Sequence, residues 1–376
     1  MSGIMAIIIK IGIFLINVFY FFIKLFPTKH KVTFISRQKN VMSKDIEMLY
    51  NDLKKKDSSL TIVCLCKKLE GNLFNKFKYI LHMFVQMYHI ATSKVVVLDS
   101  YCICISILKH KKNLKVIQMW HAMGSFKKFG YSILDQKEGS SSKIAHLMGM
   151  HKNYDYVFTS SELCLDNFAD AFNVSKDKMM VMPLPCVDLL TNPKHIKNSR
   201  RKVLSKYKDI NKKKVILYAP TFRKNFDMTN DINNLINEVD FSKYNLIIKL
   251  HPLSDVVIDD ERVIFDKSFS TIDMAVVSDY VITDYSAVVF EIALLNKPLF
   301  FYAFDKNTYL DERNFYMDFD KDMPGIISTS ANEIIKAIEK EKYDLKKVKK
   351  FASDNVAKVH GGYTNNISRF IIGLLD

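Results

Sequence analysis

The sequence predicts an α/β protein of two Rossmann-like domains facing across a cleft, preceded by an apolar helix that associates with a membrane. Three observations carry this. From Pro27 onward, short β-rich runs, polar turns and helical stretches alternate. A lysine-rich, hydrophobe-poor stretch from Asn192 to Lys214 divides that alternation into two halves and reads as the linker between them. In front of it all stands a nearly unbroken apolar run from Ile4 to Ile23. The expected limits are 1–27 for the membrane-associating segment, 28–195 for the first domain and 196–376 for the second, with the last helix free to return to the first.

A chain of 376 residues can hold two domains that each bury a core. Its 48% hydrophobic and 25% charged residues place it with globular rather than disordered chains. The N-terminal run is interrupted by Lys10 and Asn17 and followed by Lys24, Pro27, Lys29, His30 and Lys31. About twenty apolar residues are needed to span a bilayer, so the run sits at the lower limit. No small-residue cleavage site follows it, which argues against a removed signal peptide. The flanking lysines would keep the following domain on the cytoplasmic side of the cell membrane. Spanning, re-entering and lying in the interface all remain open for this segment.

In the first half the candidate strands are Val32 to Ile35, Leu60 to Cys66, Lys94 to Leu98, Val116 to Met119 and Tyr156 to Thr159. In the second half they are Val215 to Ala219, Leu246 to Leu250, Arg262 to Phe265, Tyr280 to Thr283 and Leu299 to Tyr302. Continuous apolar runs such as Lys94-Val-Val-Val-Leu98 suit strands buried on both faces of a parallel sheet. Strands alternating with helices then give doubly wound domains.

The formal charge of +15 comes largely from short lysine blocks, which read first as solvated faces. The same excess suits an anionic lipid surface, a polyphosphate acceptor or nucleic acid. Aromatic residues are spread through core-like runs and form no stacking platform, so no nucleic-acid partner is expected. None of the six cysteines forms a CxxC pair. Cys64 and Cys66 would point to opposite faces of one strand, so core packing in a reducing compartment is the reading. HExxH and zinc-finger spacings are missing, and Asp318-Phe319-Asp320 reads as a solvated acidic turn, so no metal site is expected. Neither GxxxxGK[ST] nor GxGxxG occurs, which sets aside P-loop NTPases and ordinary dinucleotide oxidoreductases.

Ligands of open α/β sheets bind beyond the carboxyl ends of the strands. Just past five candidate strands stand Trp120-His121-Ala122-Met123-Gly124, Ser160-Ser161-Glu162, Pro220-Thr221-Phe222-Arg223, His251-Pro252 and Asp284-Tyr285-Ser286. His121 could take a proton from an attacking hydroxyl, since imidazole titrates near neutrality; a packed or capping histidine is the bland alternative. Gly124 with Lys127-Lys128 could meet a phosphate through backbone amides and ammonium groups. Arg223 has the shape for a bidentate phosphate contact, against a simple ion pair. His251, if protonated, could offset charge on a leaving phosphate; helix capping is its alternative. Ser286 opens an apolar helix, where free N–H groups favour an anion or accept an ordinary cap. Glu291 on that helix could reach a donor hydroxyl.

At these residues a family resemblance emerges. Val116-Ile-Gln-Met-Trp-His-Ala-Met-Gly-Ser-Phe-Lys-Lys-Phe-Gly130 resembles the tryptophan–histidine motif of the CDP-glycerol glycerophosphotransferase family. Tyr218-Ala-Pro-Thr-Phe-Arg223, Lys249-Leu-His-Pro252 and Ile282-Thr-Asp-Tyr-Ser286 resemble its other signatures in the same order. Phe300 to Gly325, with Asp305, Arg313, Tyr316 and Asp318, is similar to its late loop. The resemblance covers roughly residues 85 to 330 and departs at Cys186, where relatives often carry arginine, and at Ala287, where a second serine is frequent.

The resemblance implies a GT-B-like fold, peripheral attachment at the membrane, and transfer of a polyol phosphate from a CDP-polyol donor to a lipid-linked saccharide or polyol phosphate acceptor, with release of CMP. CDP-glycerol is the expected donor and no further cofactor is implied; CDP-ribitol is the alternative. It makes His121 and His251 the catalytic candidates. Trp120, Ala122, Gly124, Thr221, Phe222, Arg223, Lys249, Asp284, Ser286 and Glu291 are the substrate-binding candidates. Two rival readings are a GT-B glycosyltransferase of surface polysaccharide synthesis and a non-catalytic basic protein bound to membranes or anionic polymers.

Overall fold

A computed structural model describes residues 3–69, 71–223, 226–312, 314–358 and 361–376; Arg313, from the late loop, lies outside them. The chain divides into two compact units, Met1–Asp188 with Gly362–Asp376, and Leu189–Gly361.

The first unit is built on a six-stranded sheet: β1 Lys31–Ser36, β2 Thr61–Cys66, β3 Val95–Leu98, β4 Lys115–Gln118, β5 Tyr156–Thr159 and β6 Met179–Val181. All neighbours are parallel, in the order β2-β1-β3-β4-β5-β6. β1 and β3 are buried at every position, as expected of apolar runs covered on both faces, whereas the edge strand β2 is only half-buried. The second unit repeats the plan with β7 Lys214–Tyr218, β8 Tyr244–Ile248, β9 Val263–Phe265, β10 Tyr280–Thr283, β11 Leu299–Tyr302 and β12 Ile326–Ser328. Its order is β12-β11-β10-β7-β8-β9, again parallel throughout. Chain order reverses between β1 and β3 in one sheet and between β7 and β10 in the other. Those are the two points where an open sheet parts its loops to admit a ligand.

The ten strands expected from sequence are present, with ends displaced by a residue or two. β6 and β12 were not expected; each is a three-residue edge strand, too short to leave a pattern. The lysine-rich stretch is not a linker. Pro193–Lys206 is a helix, started by the Asn192 side chain, which accepts from the backbone N–H groups of Lys194 and His195. Ser199 and Val203 are buried on its inner face, and the Ser199 hydroxyl donates to Asp273 at 2.5 Å. So narrow an apolar stripe on a helix of this length reads as polar sequence.

The last helix, Tyr363–Gly373, packs on the helix Lys44–Lys56 of the first unit. Its start is pinned by Asp188, which accepts from Tyr363 N (3.0 Å), Thr364 N (2.8 Å) and the Thr364 hydroxyl (2.7 Å).

Candidate active site

In the first unit the loops after β1, β3 and β4 bring Gln38, Asp99 and His121 together. The Nδ1 of His121 lies 2.7 Å from the Asp99 backbone carbonyl, which can only accept, so Nδ1 carries the proton. The other ring nitrogen, Nε2, is left as an acceptor, and the Gln38 amide approaches it at 3.4 Å. Gln38 Nε2 is also 3.2 Å from Nδ1, but a nitrogen already donating its proton cannot accept there. The imidazole is exposed and presents a bare nitrogen, the form a general base requires.

The backbone that delivers it is strained. Trp120 has a φ of 58°, a region that a bulky residue enters only when its surroundings impose it. The buried Gln118 side chain supplies part of that constraint. Its oxygen accepts from Trp120 N at 3.0 Å, while its amide donates to the Ser100 carbonyl and to Tyr154 Oη. Aromatic packing supplies the rest. The Trp120 ring stacks on Phe129 at 5.0 Å, meets Phe172 edge-on at 5.2 Å and overlaps His121 at 4.3 Å. Trp120 and Ala122 are half-buried, and Gly124 is buried with Met123, Ser125 and Phe126. Gly124 therefore sits inside the loop.

In the second unit the loops after β7, β8, β9 and β10 enclose a cavity of about 510 Å³. Lys249, His251, Asp266, Ser270 and Ser286 are among its lining residues. His251 is exposed, and its Nδ1 accepts from Leu253 N at 3.2 Å, which leaves any ring proton on Nε2. The Phe222 ring lies 5.5 Å from it. Lys249, one of the lining residues, donates its Nζ to the Asp266 carbonyl at 2.8 Å and lies 3.7 Å from the Asp266 carboxylate.

Asp266 organises the floor. Its carboxylate is fully buried and accepts from Lys206 Nζ (2.8 Å), Tyr207 Oη (2.6 Å), the Ser268 hydroxyl (2.7 Å) and two backbone N–H groups, of Ser268 and Phe269. Burial pushes this carboxyl up, but hydrogen bonds from Lys206 and Tyr207 outweigh it and hold it well below the usual range. Asp266, Ser254 and Ser270 were missed from sequence. Reading one residue past the expected strand Arg262 to Phe265, as was done for its neighbours, would have found Asp266.

Arg223 does not meet the cavity as a free cation. Its side chain is 4% exposed and its fork grips Asp305 through Nε (2.8 Å) and Nη2 (3.0 Å). Nη1 donates to the Thr221 carbonyl and forms an ion pair with Asp284 Oδ2 at 2.9 Å, a contact without hydrogen-bond alignment. Burial opposes the charge, yet Asp284 and Asp305 hold the guanidinium ionised. The Arg223 plane also lies over Tyr309, 4.5 Å from its centroid. Asp284 in turn accepts from Thr221 N and the Thr221 hydroxyl at 2.8 and 2.6 Å. Thr221, Arg223 and Asp284, expected as donor contacts, are not among the lining residues and form a tie that joins the β7 and β10 loops. Glu291 is half-buried on the helix Val288–Leu294 and is not among the lining residues. Ser286 lines the cavity, and its hydroxyl receives only a long 3.4 Å contact from Val288 N. Asp318 caps the short helix Phe319–Asp322. Among the described residues no cluster of three metal-ligating side chains occurs.

Residues 18–373 match the model of the family described as CDP-glycerol:poly(glycerophosphate) glycerophosphotransferase. A teichoic acid ribitol-phosphate primase of Bacillus spizizenii is 33% identical over 93% of both chains. A teichoic acid glycerol-phosphate primase of Bacillus subtilis is 29% identical over 79% of this chain and 78% of that one. Among solved structures, the wall teichoic acid polymerase TagF with an H548A substitution superposes with a TM-score of 0.73 at 19% identity, covering 100% of this chain and 98% of that one. This likeness shows the fold, two parallel α/β sheets of GT-B-like form.

Proposed function

Because this chain belongs to the CDP-glycerol:poly(glycerophosphate) glycerophosphotransferase family, we propose that it moves a polyol phosphate from a CDP-activated donor to a hydroxyl of a lipid-linked, teichoic-acid-type acceptor. Glycerol phosphate is the first candidate for the group transferred. The observation that carries the chemistry is the His121 ring, whose Nδ1 gives its proton to the Asp99 carbonyl and whose Nε2 is bare; in the second unit, His251 offers an Nε2–H. In the reaction, the acceptor oxygen attacks the phosphorus that bears the polyol while His121 Nε2 takes its proton. The bond from that phosphorus to the bridging oxygen breaks, and CMP departs with the electron pair. His251 Nε2–H and Lys249, on the wall of the 510 Å³ cavity, offset the charge gathering on the pyrophosphate. Ser286 supplies a hydroxyl to the same wall.

Ribitol phosphate is the second reading, favoured by the ribitol-phosphate primase that matches over 93% of both chains. The work is done at the cytoplasmic face of the cell membrane, where the acceptor's lipid is held. Incubating the full chain with CDP-glycerol, CDP-ribitol or a UDP-sugar and a lipid-linked saccharide tests this. Release of CMP with a polyol phosphate added to the acceptor is expected; sugar transfer from the UDP donor without CMP release would overturn it.

A further inference from the structure

Two arginines stand in loops that follow parallel strands, and the protein treats them in opposite ways. The fork of Arg223 is filled by Asp305 and Asp284. Arg37, in the loop after β1, is half-buried and its side chain has no hydrogen-bond acceptor among the described residues. Its Nε is buried and unpartnered, while Nη1 and Nη2, equally unpartnered, are open to solvent. A guanidinium that has lost part of its water without gaining an anion is costly unless a ligand completes it. Asp45 and Asp99, at the same edge of the sheet, make no ion pair with it. Burial pushes both of those carboxyls up, which lessens the negative charge that an incoming anion meets.

Arg37 is also aimed and placed. Its guanidinium lies over the Tyr101 ring, 5.4 Å from the centroid, and its backbone N–H donates to Ser100 Oγ at 2.9 Å. Both contacts tie it to the loop after β3, whose Asp99 carbonyl accepts from His121 Nδ1. Tyr101 meets His151 at 5.2 Å and His151 meets Trp120 at 6.2 Å, so a run of rings joins Arg37 to the His121 turn. Gln38, the next residue, brings its amide to 3.4 Å from His121 Nε2. Lys39 in the same loop and Lys67 and Lys68 after β2 add positive charge, and Lys68 N holds the two loops together by donating to Asn40 Oδ1 at 2.9 Å.

We propose that Arg37 binds a phosphate of the acceptor, beside the hydroxyl that His121 deprotonates, so that the acceptor taken best ends in a polyol phosphate and not in a bare sugar. This rests on the transferase reading above and adds the class of acceptor. A polyol-phosphate end carries its hydroxyl a few bonds from an anion, which the two open nitrogens of Arg37 can grip by parallel hydrogen bonds. A sugar end offers hydroxyls alone and leaves the guanidinium without its counter-charge.

Kinetics of the full chain with CDP-glycerol and two lipid-linked acceptors test it, one a bare saccharide and the other the same saccharide capped with one glycerol phosphate. The wild type should show the lower KM for the capped acceptor. Arg37→Gln should raise that KM roughly thirtyfold, the scale of a lost charge-assisted contact, with kcat and the KM for CDP-glycerol moving by no more than about threefold. Arg37→Lys keeps the charge without the fork and should lose roughly fivefold on the capped acceptor; it gives the reading if Arg37→Gln does not fold. The lipid pyrophosphate is common to both acceptors, so equal losses on the two would move the contact there and overturn the assignment. A KM rise confined to CDP-glycerol, or no change with either variant, would overturn it as well. Calorimetric binding of the capped acceptor without nucleotide reads the site apart from the reaction. Binding that depends on Arg37, with no CMP release by the wild type, would overturn the transferase reading and leave the phosphate site standing.

Discussion

The two histidine loops each follow a parallel strand one place from a sheet's reversal point, β4 on the arm after the crossover and β8 on the arm before it, and they are built for opposite protonation. At His121 the neighbour of Nδ1 is a carbonyl, from Asp99; at His251 it is an N–H, from Leu253. One backbone group therefore decides whether the outward nitrogen is bare or protonated. The loops also differ in how they are held. The His121 turn depends on a strained Trp120 clamped by Gln118 and aromatic rings, the cavity beside His251 on a buried carboxylate saturated with donors. Identical side chains, each just past a parallel strand, can thus be a base and a proton-bearing donor, according to the main-chain group each faces.

Changes to either ring should separate these roles. His121→Ala should lower the rate of CMP release by roughly 10³-fold, the scale of a lost general base, while CDP-glycerol affinity measured by calorimetry stays near that of the wild type. His251→Ala should cost roughly 10²-fold, the scale of one lost charge-stabilising donor. Equal losses for the two, or near-normal turnover of His121→Ala, would erase the distinction drawn here.

Supports under the loops should fail through stability. Asp266→Ala strips a hub of five donors and should lower the unfolding free energy by about 3 kcal/mol, read by denaturant titration. Asp266 is depressed in the folded state, so its contribution is present at neutral pH and is lost as pH falls below the unfolded carboxyl range near ~3.9. Gln118→Leu leaves Trp120 N–H without its acceptor and takes a donor from the Ser100 carbonyl and from Tyr154 Oη, which keeps His151 Nδ1 at 2.9 Å, and should cost about 2 kcal/mol by the same measurement.

The smallest effect is a pH slope. His151, packed near Trp120, is held down to about 3 by burial and by the Arg37 charge. Below the unfolded value near ~6.5 the unfolded chain binds a proton that the folded chain refuses, so stability falls with pH at up to about 1.4 kcal/mol per unit. His151→Phe should flatten that slope in denaturant curves between neutral and mildly acidic pH; an unchanged slope would place its origin elsewhere.

Sequence reasoning found the strand that carries each histidine because a buried parallel strand is a continuous apolar run, and the residue after it is where polarity returns. It also named Arg223, Thr221 and Asp284 among the substrate-binding candidates. What it could not give was their direction. A guanidinium free to grip phosphate and one gripped by Asp284 and Asp305 have the same local sequence, because Asp305 arrives 82 residues later. The histidine protonation states were hidden for the same reason: the Asp99 carbonyl is a main-chain atom 22 residues away, and any residue there would present one. The helix Pro193–Lys206 was read as a linker because two buried positions leave too faint a period.

The opposed protonation of the two rings is the claim on which the mechanism stands. Nitrogen-resolved NMR of the full chain at neutral pH, with the two histidines assigned by His121→Gln and His251→Gln, reads it directly. The account predicts a proton on Nδ1 and a bare Nε2 at His121, and the reverse at His251. The same form on both rings, or a proton on Nε2 of His121, would contradict it.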